Sequence, residues 1–366
     1  MYANDKRTVV TLDAGGSNLV FSAIQGNEEI VEPIKKPSNS HDLALCIATI
    51  KQGFEEVIAQ LEEKPVAISF AFPGPADYPN GVIGGFLPNF PSFRDGVALG
   101  PLLQRHFNLP VFINNDADLF AYGEALAGVL PEINKKLKEQ GSAKQYHNLI
   151  GFTWGTGFGF GFTVNGNLHI GDNSCNEIWC LPHPDDHTII VEDGVAIRAI
   201  TRMYGEWTEN PNHGLDPEAI FDIAEGRREG NQEAAIRSFE KFGEVAGDAM
   251  AYAATLIDGI MVIGGGLTGA HKYILPSLFK VLDSKIGTMK GETLNRLQFE
   301  VYNLDDDQEF SQFAQGKSIE IKIFGSDDMA IFDPQKRIGL AVSKLGTSQA
   351  TALGAYAYAL HSIDSQ

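Results

Sequence analysis

At 366 residues, 43% of them hydrophobic, the chain is long for one core and reads as two domains. Its 28 basic against 47 acidic residues leave a formal net charge of −19, which argues against nucleic acid and against an anionic membrane surface as partners. No window approaches the ~18 consecutive apolar residues of a membrane span, the N-terminus carries no apolar signal core, and three cysteines fit a reducing cytoplasm better than a disulfide framework.

Residues 8–13, 19–24 and 29–33 read as an antiparallel meander with short turns. The first turn holds Asp13, Gly15, Gly16 and Ser17, a glycine-hydroxyl turn between two strands whose N–H groups can cradle phosphate. Asp13 is then placed either for Mg²⁺, which takes water and one or two carboxylates, or simply as a turn-capping aspartate. Residues 42–63 carry apolar side chains at helical spacing, with Ser40 or Asp42 as cap and Pro65 as the stop. A buried strand at 66–71 runs into the turn Pro73-Gly74-Pro75. Farther on, Pro88 and Pro91 stiffen a loop around Asn89, whose amide suits either hydroxyl recognition or the turn itself.

The short strand 111–113 ends in Asn114, Asn115 and Asp116 and precedes a helix at 117–127. Asp116 reads either as the helix N-cap or as a catalytic base at a strand end. Residues 132–147 are polar and read as a surface insertion. The apolar run 149–154 then enters Gly155-Thr156-Gly157 and a second strand, with a hairpin turn at Asn165-Gly166. A dinucleotide-binding glycine turn opens a helix; this one opens a strand, as the turn after Asp13 does. Two hairpins of one design, one in each half of the chain, point to a polyphosphate held from two sides.

The segment 172–187 contains Cys175, Cys180, His183 and His187, at spacings that a metal could use, although histidines among Pro and Asp are commonly just exposed loop residues, and Glu177 among apolar neighbours. Helices are expected at 192–204, 217–228 and 231–258, the last burying Ile236, Phe239, Phe242, Val245, Ala249, Ala253 and Leu256. The apolar strand 260–263 is broken by Gly264, Gly265 and Gly266, which admit a flat ring against the backbone or serve tight packing. A helix at 273–281, an acidic insertion at 302–316, a strand at 319–324 and a small-residue helix at 348–361 complete the chain.

In combination these motifs resemble the ROK (repressor, open reading frame, kinase) family of sugar kinases. The resemblance rests on the Asp13–Ser17 and Gly155–Gly161 turns, Pro73-Gly74-Pro75 with Pro88-Asn89, Asn115-Asp116, Gly264-Gly265-Gly266 and the closing helix. It implies an α/β fold of two domains of related actin-like ATPase (ribonuclease H-like) topology around a central cleft. The domains would be 1–118, to which a helix near 347–366 returns, and 119–346. It also implies ATP and Mg²⁺ as cofactors and a homodimer. Asp116 would be the general base; Asn89, Asn115, Asp116, Glu177 and Glu192 would hold a hexose. Asp13, Gly15, Gly16, Ser17, Gly155, Thr156, Gly157, Gly264, Gly265 and Gly266 would hold the nucleotide. One departure stands out: where the family has a zinc-binding histidine after the conserved glutamate, this chain has Cys180, and no Cys-x-Cys-Gly loop follows, which puts a structural zinc in question. The expected activity is phosphorylation of a hexose hydroxyl, O6 of glucose or of a related hexose or N-acetylhexosamine. The alternative is a non-catalytic, sugar-binding or regulatory member, a reading to which the bulky Trp154 and Phe160 lend weight. A DNA-binding regulator would need a basic arm, and the charge is of the wrong sign.

Overall fold

A computed structural model of the chain describes residues 2–74 and 76–365. Taken in order, the elements are β1 (Val9–Ala14), β2 (Asn18–Gln25), β3 (Glu28–Glu29), β4 (Ile34–Pro37), α1 (Leu43–Ile58), β5 (Ala67–Ala71), β6 (Ala76–Asp77), β7 (Val82–Ile83), α2 (Leu99–Phe107), β8 (Val111–Asn114), α3 (Asp116–Leu126) and α4 (Val129–Glu139). There follow β9 (Leu149–Trp154), β10 (Phe158–Val164), β11 (Asn167–Leu168), α5 (Ile197–Trp207), α6 (Pro217–Ala224), α7 (Gln232–Ile257), β12 (Ile260–Gly264), α8 (His271–Leu282), β13 (Lys285–Gly287) and β14 (Thr293–Asn295). The chain closes with β15 (Glu300–Asn303), α9 (Asp307–Gln315), β16 (Ile319–Lys322), β17 (Met329–Phe332), β18 (Arg337–Val342) and α10 (Thr347–Asp364). Among the described residues no helix is long and apolar enough to cross a membrane.

Two compact units result. The first takes the described residues of Met1–Pro131, Gly161–Asn176 and Lys344–Gln366; the second takes Glu132–Phe160 and Glu177–Ser343. Residues 119–131 and 161–176, which the sequence reading places in the C-terminal domain, count with the first unit.

In the first unit β1, β5 and β8 run parallel and β2 is antiparallel to β1, in the order β3-β2-β1-β5-β8 with β4 on β2. The strands are apolar on both faces because helices cover both. On one side Phe21 and Phe70 pack with Phe54 of α1. On the other, Val9, Ile24 and Ala67 meet Leu353, Tyr356 and Leu360 of α10. Helix α1 is capped by Asp42, whose side chain accepts the Leu45 N–H, so of the two candidate caps Asp42 does the work. The spacing in α3 predicts one buried face, but the helix is buried all round, because α10 packs against it at backbone contact. A Cβ on Gly123 would lie 1.9 Å from the Ala350 carbonyl oxygen, and one on Gly354 1.9 Å from that of Leu119.

In the second unit β9, β12, β18 and β15 are mutually parallel neighbours in that order, with β10 on the far side of β9. Each unit therefore repeats a hairpin followed by parallel strands. The two presumed insertions are ordered helices: α4 buries Ile133 and Leu137, and α9 buries Phe310 and Phe313. Their acidic and basic residues are the solvated faces of amphipathic helices. Strands β15 and β18 have no counterpart in the sequence reading. Leu256, expected in the core, is 84% exposed, because the last turn of α7 runs beyond the elements that cover it.

Candidate functional site

Strand register gathers the first cluster. Asp13 is level with Ala71 of β5, and Ala71 with Asn114 of β8. The Asp13 turn, the Pro73-Gly74 turn and Asn115-Asp116 therefore all leave the carboxyl ends of three neighbouring parallel strands, where open α/β sheets bind ligands. Pro75 lies outside the described residues. The first turn is closed by the Gly15 N–H donating to the Asn18 carbonyl (2.9 Å) and is tied to the next loop by the Ser38 N–H donating to the Ser17 carbonyl (3.0 Å). Asn89 is brought to this turn: a Cβ on Gly16 would stand 3.1 Å from the Asn89 Cβ. A side chain at Gly16 would therefore press on Asn89 and require it to give by a few tenths of an ångström.

At the head of α3 the cap is Asn115, whose Oδ1 accepts the Ala117 N–H at 2.8 Å; Asp116 Oδ1 also accepts it at 2.9 Å. Asp116 is thus the first residue of the helix, and its carboxylate opens to solvent. The protein around it strips away part of its hydration and raises its carboxyl above the ordinary 3.8; the Ala117 N–H opposes this, and the nearby Asp13 charge adds to it. Asp13, Asp116, Pro73, Thr347, Ser348 and Thr351 line a cavity of about 100 Å³. The three hydroxyl residues belong to the first turn and a half of α10, which begins after Gly346 at φ +79° without a side-chain cap. The sequence reading missed them; the signal available was a glycine followed by Thr-Ser, separated from an apolar run by three residues.

The second cluster lies wholly in the second unit. Thr153 of β9 is level with Gly264 of β12, so the Gly155–Gly157 turn and Gly264–Gly266 emerge side by side from parallel strands. Gly265 sits at φ +98°, and a Cβ there would strike the Trp154 carbonyl oxygen at 2.2 Å. Glu192 ties down the glycine turn: Oε2 accepts the Phe158 N–H at 2.9 Å, and Oε1 pairs with Arg198 at 2.8 Å. Arg198 also reaches Asp193 (2.8 Å) and donates to the Thr156 carbonyl (3.3 Å). Arg198 is a further residue that the sequence reading did not single out. Glu177 is half-buried in an irregular segment, two residues before Trp179, whose carbonyl accepts the Glu192 N–H (3.2 Å).

Two sequence-based expectations change. Trp154 and Phe160 are buried, against Phe242 and Phe152 respectively, so their bulk fills the core and obstructs no ligand. Gly161 serves packing: a Cβ there would lie 2.6 Å from the Ala117 carbonyl oxygen at the start of α3. Among the described residues no three His, Cys, Asp or Glu side chains form a metal-holding group, and His183 is buried, its ring nitrogen accepting the Asp185 N–H at 3.2 Å.

The sequence matches the ROK family over residues 9–302. The fold is similar to a crystal structure of glucokinase from Parabacteroides distasonis, with a TM-score of 0.91 and 53% identity covering 99% of both chains. Among curated proteins, the N-acetyl-D-glucosamine kinase of Yersinia enterocolitica is 24% identical over 275 residues, 70% of this chain and 83% of that protein. The xylose repressor of Bacillus spizizenii is 32% identical over 117 residues, 31% of this chain but only 26% of the repressor's length. The mixed α/β architecture expected from the motifs is the one these kinase structures share.

Proposed function

Because the chain belongs to the ROK family, we propose that it is an ATP-dependent sugar kinase that phosphorylates a hexose hydroxyl, O6 of glucose or of a related hexose or N-acetylhexosamine. The observation that carries this reading is the Asp116 carboxylate: it stands at the carboxyl end of β8, shares a cavity with Asp13, and among the described residues no cation pairs with it. Binding alone gains nothing from two like charges so placed.

In this reading Asn89, Asn115, Asp116, Glu177 and Glu192 hold the sugar hydroxyls. Asp116 accepts the proton as the hydroxyl oxygen attacks the γ-phosphorus in line and the bond to ADP breaks. A carboxyl raised above its ordinary value is a better-matched base near neutral pH. The Gly15 and Gly155 N–H groups close their own turns on the Asn18 and Gly157 carbonyls, leaving the N–H groups of Gly16 and Gly157 and the hydroxyls of Ser17 and Thr156 to donate to phosphate oxygens, and charge stabilisation of this kind dominates phosphoryl transfer. Gly264, Gly265 and Gly266 leave room for the adenosine. Asp13 offers the hard oxygen donor that Mg²⁺ prefers, and the ion, if bound with ATP, would neutralise charge on the phosphates.

The partial match to a repressor covers too little of that protein to favour a regulatory role. The test is Mg-ATP turnover, followed by ADP release, with glucose, mannose, fructose, allose, N-acetylglucosamine and N-acetylmannosamine, with Asp116→Asn beside the wild type. Turnover of one sugar, lost in the variant, supports the reading and names the substrate. Silence across the panel, with sugar still raising the melting temperature, overturns it in favour of a binding protein.

A further inference from the structure

In the second unit, β16 and β17 form a two-stranded sheet of their own, paired from Ile319↔Phe332 to Lys322↔Met329 and joined to no other strand among the described residues. Ile319, Ile321, Ile323, Phe324, Met329, Ile331 and Phe332 are all exposed, by 44% to 104%. An isolated two-stranded hairpin is marginal in water; three or more strands are the usual minimum.

The free edge of β16 has a definite chemistry. The Ile323 N–H donates inward to the Asp328 carbonyl (2.9 Å), so the odd-numbered residues bond towards β17. The N–H and C=O groups of Glu320 and Lys322 therefore point outward along the unpaired edge. Their side chains share one face, and Ile319, Ile321 and Ile323 share the other. An edge of this kind is a template for another strand.

We propose that this edge pairs with a second copy of the same chain, β16 against β16, antiparallel about a two-fold axis through Ile321. In that register Glu320 lies opposite Lys322 of the second copy, and Lys322 opposite its Glu320, each pair exchanging two backbone hydrogen bonds. Ile319 meets Ile323 of the second copy, and the two Ile321 side chains meet at the axis. The product is a four-stranded sheet with a continuous isoleucine ladder. A shift of the partner by two residues either way, which moves the two-fold axis to Glu320 or to Lys322, brings that residue against itself, so charge selects this register. The Lys322–Asp327 ion pair at the turn (2.7 Å) is exposed on both sides and yields readily. The proposal is independent of the kinase reading.

The experiment is sedimentation equilibrium on the full chain, with circular dichroism as a check on folding. Wild type is expected to be dimeric. Glu320→Lys and Lys322→Glu should each weaken the dimer about tenfold or more, since two attractive cross-strand pairs become repulsive. An equimolar mixture of the two variants should restore wild-type affinity, as should the double variant. A monomeric wild type overturns the proposal, and so do single variants that dimerise as tightly as wild type. Weakened variants that do not rescue each other on mixing also overturn it, and assign the hairpin to a different partner.

Discussion

The two clusters of polar residues are built in opposite ways. In the first unit Asp13 and Asp116 stand beside the hydroxyls of α10 with no cation paired to them among the described residues, and what holds the place together is backbone contact. In the second unit the acidic residue Glu192 is spoken for by Arg198 and by the Phe158 N–H, and the glycine turn is held by this charged bracket. The lesson concerns what each is free to do. A carboxylate without a counter-ion keeps its capacity for a proton or a metal ion, whereas one already satisfied positions its neighbours.

The sharpest way to break this contrast is Asp116→Asn. Removing the base should lower kcat on the order of 10²–10⁴-fold with the fold retained, measured by ADP release; near-normal turnover would make Asp116 only a helix-head residue. Next in size is Gly354→Ala. The added methyl has backbone, not a flexible side chain, 1.9 Å away, so α10 must move off α3. The expected cost is about 2–3 kcal/mol of stability in chemical denaturation, with activity falling because both α3 and α10 line the Asp116 cavity. Arg198→Met removes the bracket while leaving the first unit untouched. We expect about a tenfold rise in KM for ATP with a smaller change in KM for sugar, from the loss of charge-assisted hydrogen bonds near the glycine turn. A change confined to the sugar KM would instead make Glu192 a sugar ligand first.

The smallest effect is in pH dependence. The Asp116 carboxyl lies above 3.8, and the base must be unprotonated, so kcat/KM should fall as pH drops through that raised value. Asp13→Asn takes away a neighbouring negative charge and should move the acid limb to lower pH in whatever activity remains. An unmoved limb would mean that the two carboxylates are not coupled.

Much of the fold was legible because it depends on local rules. Apolar runs bounded by glycine turns marked β1, β5, β9 and β12, and the spacing of Ala350, Leu353, Tyr356 and Leu360 marked α10. The polar stretches around α4 and α9 were misread because only one narrow face of each helix is apolar. Strand β18 escaped notice although its residues are almost all buried. Among the candidate site residues, Asp13, Asn115 and Asp116 could be picked out because they follow apolar strands, and Asn89 because prolines flank its loop. Arg198 could not, since an arginine six residues after a glutamate looks like any surface pair.

The sequence by itself determined the repeated strand–glycine turn–strand design and the acidic residue at the end of β8, since backbone freedom and strand period are properties of neighbouring residues. It did not reveal why Gly123, Gly161 and Gly354 are glycines. Only the tertiary structure decided that, because each is required by a carbonyl oxygen from a distant part of the chain. The same holds for charge: whether a carboxylate is left open, as Asp116 is, or bracketed, as Glu192 is, depends on which groups folding brings within hydrogen-bond reach.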